Sequence, residues 1–557
     1  MRQRVRDLIE EGDRLFSQRS QLMTLWQSLA ENVHPLRADF TRQRSLGEEF
    51  ASFMMTGRPA IAHRDLTNSI GAMLRPRDKV WARVRTGNTK VNQKPGPRQW
   101  LDWASEVQHR GMYDRRAQYL SVSKAIDGDF VAFGQGVVTI DPNRWMDGIL
   151  YRDWHVKDVA WAEGPDRIIN QVHFNWNPEV HQLCAMPSFK DKLSPKVIER
   201  NKDKDKFGKV RCRRIVIPVD NYDMDPKLTR GMGFVSIYVD CENLTILEEI
   251  PTRTGRFVIP RWERLSGSQY AFSMAAMYAL PDARMMQVIA MTIMEAGQKA
   301  VDPPTISVGE AINGGVNLYA GGNTNVDADY DERLGEVLRP ITQKTDGLGF
   351  AASREERLEK IIQDTFFLSK INMPTVTKEM TATETQRIYE EFIRGALPLL
   401  EPIEVEMNGQ ICSESFDVMR DMGTFGSPLD MPQELRGEEI RYEFDSPLQE
   451  AADRAKVGYF QQSIQITAEA MQIDPNAKVN FDVNKGHRDA LGSTGAPADW
   501  VRSEDDAKAM LDQKQQQDQA AEAAAAMATG ADTATRLATA GSSAAEAAQR
   551  LQQSGMI

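Results

Sequence analysis

The sequence predicts an α+β protein built from several units, and three observations predict it. Apolar residues recur every three or four positions through the first 126 residues. The section from 129 to 264 changes to short runs of β-branched and aromatic residues bounded by turn formers, and helical spacing returns after Pro281. With 557 residues, 41% of them apolar, there is material for about three to five cores at roughly 100 to 200 residues each.

The elements follow in order. From Val5, the positions Leu8, Ile9, Leu15, Phe16, Leu22, Met23, Trp26, Leu29 and Val33 describe one face of a long helix that Pro35 ends. Further helices are predicted over 60–74, with Leu66, Ile70, Met73 and Leu74 on one face, and over 97–126, rich in Trp100, Trp103, Tyr113 and Tyr119. Strand candidates are 130–140, 168–176, 213–219, 234–239, 244–250 and 256–259. Among them, 190–214 holds 11 Lys or Arg against 4 acids, which reads as a solvated helix and loop face or as a patch touching nucleic acid.

Pro281, at a first helical position, opens an apolar helix through Met285, Met286, Ile289, Ile293 and Met294 that Pro303 and Pro304 close. The six Met between Met274 and Met294 read as core packing in preference to an adaptable binding surface. A Gly- and Asn-rich section, 305–350, carries strand candidates at 305–308 and 316–319. Ser353 with Glu356 reads as a capping box opening a second helix, with Leu358, Ile361, Ile362, Thr365 and Leu368 on one face and Lys370 at the negative end of its dipole. Pro374 stops it, and Thr381 with Glu384 caps a third helix that Pro398 and Pro402 kink or end. The tail is different: 520–548 contains 15 Ala in 29 residues, with high helix propensity but too little apolar surface for a lone helix.

Composition excludes several classes. Four cysteines, at 184, 212, 241 and 412, are too few and scattered for a disulfide framework, so a reducing compartment is expected. The charged start MRQRVRDLIEEGDRLF offers no signal-peptide core, and the longest uncharged stretch, 265–281, falls short of the roughly 20 apolar residues of a membrane span. The expectation is a soluble protein. Residues 1–100 hold 18 basic and 10 acidic side chains (+8), so the net charge of −11 leaves −19 for the remainder. An acidic bulk disfavours tight coating of nucleic acid and leaves open contact with DNA that must slide.

Catalytic signatures are missing. There is no G-x-x-x-x-G-K-[ST], G-x-S-x-G or H-E-x-x-H, and only 7 His. Gly134 and Gly136 give a G-x-G that reads as a tight turn. Asp327, Asp329 and Asp331 start like a calcium loop, but Glu332 and Leu338 stand where Gly and Glu are needed. His181 and Cys184 lack a second pair for zinc. The reading is a structural assembly component: no enzyme, no cofactor, no metal.

A series of pieces then recurs in a specific order. It runs from Trp26 and Pro35 through Asp65-Leu66-Thr67-Asn68-Ser69, Leu74-Arg75-Pro76 before Trp81, and Asp129-Phe130 to Gly134. Pro260-Arg261-Trp262, Tyr270, Ala279-Leu280-Pro281-Asp282 and Pro303-Pro304 follow, and then Met380-Thr381-Ala382-Thr383-Glu384 with Arg387, Glu390 and Pro398. This order resembles the portal, or head-to-tail connector, proteins of short-tailed bacteriophages over most of the chain. Met73-Leu74-Arg75-Pro76 replaces the family's usual Pro-Pro approach to the Trp, a departure of local loop detail.

The resemblance implies a closed ring, typically a dodecamer, at one capsid vertex of the virion, through which double-stranded DNA is packaged and ejected. It implies a wing from 1–260 with 382–490, which includes a long kinked helix, and a stem from helices 261–300 and 353–370. It further implies a small α/β clip at 301–352, a tunnel loop at 371–381 and an Ala/Gln-rich crown or barrel at 491–557. Asn372, Met373, Thr375, Val376, Thr377, Lys378 and Glu379 would line the channel, with Lys378 touching phosphate. Thr381, Ala382, Thr383, Glu384 and Arg387 would be the structural motif behind them. Expected partners are other copies of the chain, DNA, the terminase large subunit, tail adaptor and tail proteins, and the major capsid and scaffold proteins, with no membrane. The competing readings are a scaffold or internal capsid protein without a channel and, less favoured, a DNA-processing enzyme.

Overall fold

A computed structural model describes residues 2–301 apart from 44, 46, 49–53, 78, 93, 203 and 204; 347–371; 403–444 apart from 428 and 429; 447–474; 480–493; short pieces of 303–340; and scattered residues at 395 and between 507 and 543. The chain divides into two units, Met1–Ala451 and Ala452–Ile557.

In the first unit the expected N-terminal helix is two, α1 (Arg2–Gln18) and α2 (Ser20–Val33). Arg19 interrupts it because its buried guanidinium donates to the carbonyls of Val156 (2.6 Å) and Lys157, fixing the junction to distant backbone. After α3 (Arg58–Leu74) and β1 (Ala82–Thr86) comes α4 (Pro95–Met112), which ends before the expected 126. The chain turns at Gln118 (φ +61°) and continues as α5 (Tyr119–Phe133), while the Tyr151 amide donates to the Ala117 carbonyl at 3.0 Å.

Helix α5 overruns the strand predicted at 130–140. Phe130, Val131, Ala132 and Phe133 are all buried, and a continuous apolar run carries no period that separates strand from helix. Gly134 ends α5 at φ +76°, where an added Cβ would lie 2.1 Å from the carbonyl carbon of Phe272. The G-x-G is a close-packing device. Gly134→Ala is expected to cost more than about 2 kcal/mol. Gly231→Ala, at φ +77° with open space around it, is expected to cost only about 1 kcal/mol, both read by urea unfolding.

Five antiparallel strands form the main sheet in sequence order: β4 (Val159–Glu163), β5 (Ile169–Trp176), β6 (Cys212–Pro218), β7 (Phe234–Asp240) and β8 (Thr245–Thr252). Beside them β2 (Val138–Pro142) pairs with β3 (Ile149–Asp153) and β9 (Phe257–Val258). A small lobe carrying α6 (Val180–Ala185) and α7 (Pro195–Lys202) is inserted between β5 and β6.

Helix α8 (Ala276–Val301) begins ahead of Pro281, which lies inside it and not at its start. The cap is Ser273, whose hydroxyl accepts from the Ala276 amide (2.9 Å) and donates to the Val131 carbonyl (2.6 Å), tying the helix start to α5. Beyond α8, β10 (Thr305–Ser307) pairs with β13 (Leu338–Pro340) and, nested within them, β11 (Ile312–Asn313) pairs with β12 (Asn325–Val326). The candidate at 305–308 is thus a strand; of 316–319 only Val316 is described, outside any strand. The calcium-like Asp327, Asp329 and Asp331 lie outside the described residues.

Helix α9 (Gly347–Thr365) also starts earlier than predicted. Ser353 sits within it, donating to the Phe350 carbonyl at 2.9 Å, and so caps nothing. A π-helical turn, Glu404–Gly409, runs into α10 (Gln410–Asp421), and β14 (Ile440–Phe444) returns to pair antiparallel with β1. One large core gathers residues from α2, α3, α5, α8, α9 and α10, among them Trp26, Phe130 and Met286, and from the segments beside these helices, including Trp81, Phe366 and Met407.

In the second unit, which α11 (Pro447–Ile473) enters, α12 (Val483–Ser493) brings His487 to a ring distance of 6.1 Å from Phe460. The Ala-rich 520–548 is outside the described residues apart from Thr539 and Ser543.

Candidate functional site

The sequence-predicted channel residues Asn372, Met373, Thr375, Val376, Thr377, Lys378 and Glu379, and the motif Thr381, Ala382, Thr383, Glu384 and Arg387, lie outside the described residues, as do Pro398 and Pro402. What the structure gives is the mounting on either side of them. Before the segment, Phe366 (0% exposed) and Leu368 are buried in the large core; after it, Ile403 and Met407 are buried in the same core. Both flanks of the segment are therefore buried in one core.

The entry side is the α8–α9 pair. Helix α8 buries Ala276, Ala279, Leu280, Ala283 and Met286, and α9 buries Leu358 and Ile362. Farther along, α8 leaves Val288 (65% exposed), Met291, Met294 and Val301 (88%) in the open, together with Tyr278 and Met285, and α9 exposes Phe350. This amends the core-packing expectation for the six methionines: Met274, Met277 and Met286 join the core, whereas Met285 is exposed beside the buried Met286 and Met291 and Met294 lie beyond the last fully buried residue of α8. Exposed rows of adaptable apolar side chains of this kind commonly mark interaction surfaces.

The return side is the π-helical turn, directly after Pro402 in sequence. It presents two polar anchors. Glu406 accepts from the Arg261 amide at 3.1 Å and lies 3.4 Å from the Arg264 guanidinium. Asn408 accepts from Arg75 Nη1 at 3.2 Å, while Nη2 of the same guanidinium pairs with Asp127, all three being buried. Farther on, the Cys412 carbonyl accepts from Gln108 (2.7 Å) and the Tyr442 hydroxyl (3.0 Å), and Ser415 meets the Tyr151 hydroxyl at 2.6 Å. Arg75, Arg261 and Cys412 stand out in the sequence, but the pairings of this polar lattice were not legible beforehand, since its members are far apart in sequence.

The resemblance motifs resolve into packing and ion pairing. Trp81 stacks over Phe444 and Trp262 over Phe130, Arg261 pairs with Glu163, and Trp26 meets Phe40 and Tyr270 edge-on or tilted. Asp129, buried, joins Arg37 (3.0 Å), which also holds Asp153 at 3.0 Å; the stacked His34 and His63 rings lie alongside. Burial raises the Asp129 pKa to about 6 against the pull of Arg37, and lowers His34 to about 3 and His63 to about 4. His181 lies 3.2 Å from Glu179, with Cys184 only partly buried and unpaired. Among the described residues no cluster of three His, Cys, Asp or Glu side chains could hold a metal ion, and no helix is long and apolar enough to cross a membrane.

Residues 6–501 match the family of bacteriophage head to tail connecting proteins. The chain belongs to that family. Its relatives include the probable portal protein of Bordetella phage BPP-1, 22% identical over 538 residues and covering 95% of this chain and 94% of its own. The portal protein of Salmonella phage epsilon15 is 21% identical over 537 residues, covering 94% of each. A chain from the virion of the native gene transfer agent particle aligns over 78% of this chain and 94% of its own, and one from the neck of the empty particle over 72% and 84%. Their TM-scores are 0.33 and 0.34, with 9% and 10% identity, likenesses too low to carry an argument. As a connector, the protein is a structural component of the virion at the head–tail junction.

Proposed function

We propose that the chain is the portal subunit, forming a closed ring at one capsid vertex that passes double-stranded DNA inward during packaging and outward during ejection. The observation that carries this is the connector-family match spanning nearly the whole chain. The exposed apolar row on α8 supports it, since a heterologous contact repeated around a closed ring covers such a row on every copy. In this reading α8 and α9 are the stem and the nested β10–β13 and β11–β12 pairs belong to a clip that docks the terminase large subunit and later the tail adaptor. The segment 371–381 is the tunnel loop, and 491–557 forms the crown. The wing meets capsid and scaffold proteins. The protein itself catalyses nothing; the motor belongs to a partner.

Negative-stain electron microscopy with mass measurement tests the ring: discrete rings with a central hole and a mass near twelve subunits are expected, and irregular polymers would instead indicate a scaffold. Deletion of 372–379 is expected to leave rings intact, because both mounts are buried in one core, and to reduce retained DNA after packaging. Loss of ring assembly in that variant would remove the tunnel-loop role.

A further inference from the structure

We infer that the lobe between β5 and β6 is a second double-stranded DNA contact, on the outside of the subunit and independent of any channel. The lobe has its own small core, in which Val180, Leu183, Phe189, Leu193, Val197 and Val210 pack on Cys212 and Leu247 of the main sheet. Its apolar side is therefore largely covered, and what it shows to solvent is basic on balance, with six exposed lysines against Asp191, Glu199 and the paired Asp205, beside Ile198 and Phe207.

The two kinds of cation in this stretch have separate duties. The arginines are held in ion pairs. Arg200 pairs with Asp205 (2.6 Å) and Glu242 (3.6 Å), and Arg211 and Arg213 with Asp13 (3.3 and 2.7 Å). Arg214 pairs with Asp141 at 2.6 Å. The lysines are not so engaged. Lys190, Lys192, Lys196, Lys202, Lys206 and Lys209 are exposed, and among the described residues none forms an ion pair, Lys192 feeling Glu248 only at longer range. Two of them are tied to the lobe's helices: the His181 amide on α6 donates to the Lys206 carbonyl (3.0 Å), and Arg200 on α7 donates to the Lys209 carbonyl (3.2 Å). Beside them Phe207 is 63% exposed, with the Lys206 ammonium 4.9 Å from its ring centre.

This division favours phosphate over a protein partner. Protein interfaces are enriched in Arg and depleted in Lys, whereas compact hydrated ammonium groups suit sequence-independent phosphate contact that stays mobile. Here the forked cations are held in ion pairs, buried at Arg213 and Arg214 and at the surface at Arg200 and Arg211, and the point charges are left without such pairs, on a chain whose net charge is −11.

The test is binding of the full-length protein to covalently closed circular DNA, which cannot thread a closed ring, across a salt series. The comparison is a variant with the six lysines changed to Gln. If about four lysines meet phosphate at once, wild-type affinity should fall on the order of a hundredfold between about 50 and 200 mM salt, and the variant should lose most of that slope. Ring mass and thermal unfolding should stay unchanged. Equal slopes in the two proteins would overturn the inference. So would lysine-dependent binding of polyglutamate without binding of the circle, which would assign the lobe to an acidic protein. Because the circle never enters a channel, failure here leaves the ring and channel reading standing, and failure of the ring leaves this test readable.

Discussion

Replacing Arg75 by Met is expected to remove about 3–5 kcal/mol from the stability of the first unit, the largest single-site loss anticipated in this protein. Arg75 follows α3, Asp127 lies in α5 and Asn408 in the π-helical turn, and the guanidinium joins all three away from water. Burial, the largest single influence, works against its charge, but Asp127 together with Tyr119 and Tyr113 outweighs it and raises the Arg75 pKa. Truncation leaves that carboxylate buried without its counter-ion, and an uncompensated buried charge costs far more than the intact pair contributes. Arg75→Met with Asp127→Leu should therefore lie much closer to wild type than either single change. The measurement is a double-mutant cycle by urea unfolding, the Asp127→Asn variant standing in if Arg75→Met does not fold. A double mutant as unstable as the sum of the singles would show that the pair is not coupled. The loss should also loosen the π-helical turn, and with it the return mount of the proposed tunnel loop.

That network shows where the sequence could and could not be read. The 3.6-residue spacing of Leu66, Ile70 and Leu74 located α3 well, and the β-branched runs located β5, β6, β7 and β8 within a few residues, because each pattern is local and long enough to count. Interruptions were missed where the cause is tertiary: Arg19 breaks α1 from α2 to reach carbonyls at 156 and 157, and Ser273 starts α8 by leaning on Val131. Strands β1 and β14 were missed because ARVRT and IRYEF are only five residues each, interrupted by charged side chains, and pair across more than half the chain. Of the candidate site, family order pointed to a segment the described residues only frame. The exposed methionines of α8 were read as core because period alone cannot say where a helix outruns its neighbours.

Acidification from pH 7 to pH 4 is expected to destabilise the first unit through His63 and His34, and exchanging His63 for Gln should remove about 3 kcal/mol of that pH dependence. His63 donates to the Gly128 carbonyl at 2.9 Å and is neutral in the fold, burial lowering its pKa to about 4; His34, lowered to about 3 by burial and then by His63, Arg37 and His155, is stacked on it. Between the ordinary histidine value of 6.5 and these lowered values, the unfolded chain binds protons that the fold refuses. The contribution is complete above pH 6.5 and is lost as pH falls towards 4 and 3. The carboxylates around the pair do not share one sign. Asp129, raised by burial to about 6, takes up its proton in the fold first and returns some stability below pH 6. Asp39 works the other way: burial pushes it up, but hydrogen bonds from His155 and Lys157 outweigh burial and hold it below the usual carboxylate range, so it adds to the acid loss. Elsewhere in the unit Glu414, raised by burial to about 7, contributes stability that is lost as pH rises from 4.5 to 7. Because these groups oppose one another, total stability against pH is a poor readout, and the difference between wild type and His63→Gln is a good one. Gln keeps a donor for the Gly128 carbonyl and cannot titrate. Urea unfolding of both proteins at pH 7, 5.5 and 4 should give curves that diverge on the acid side, the wild type falling faster. Parallel curves would mean that His63 is protonated in the fold as readily as in the unfolded chain, and that the stacked pair does not exclude a proton.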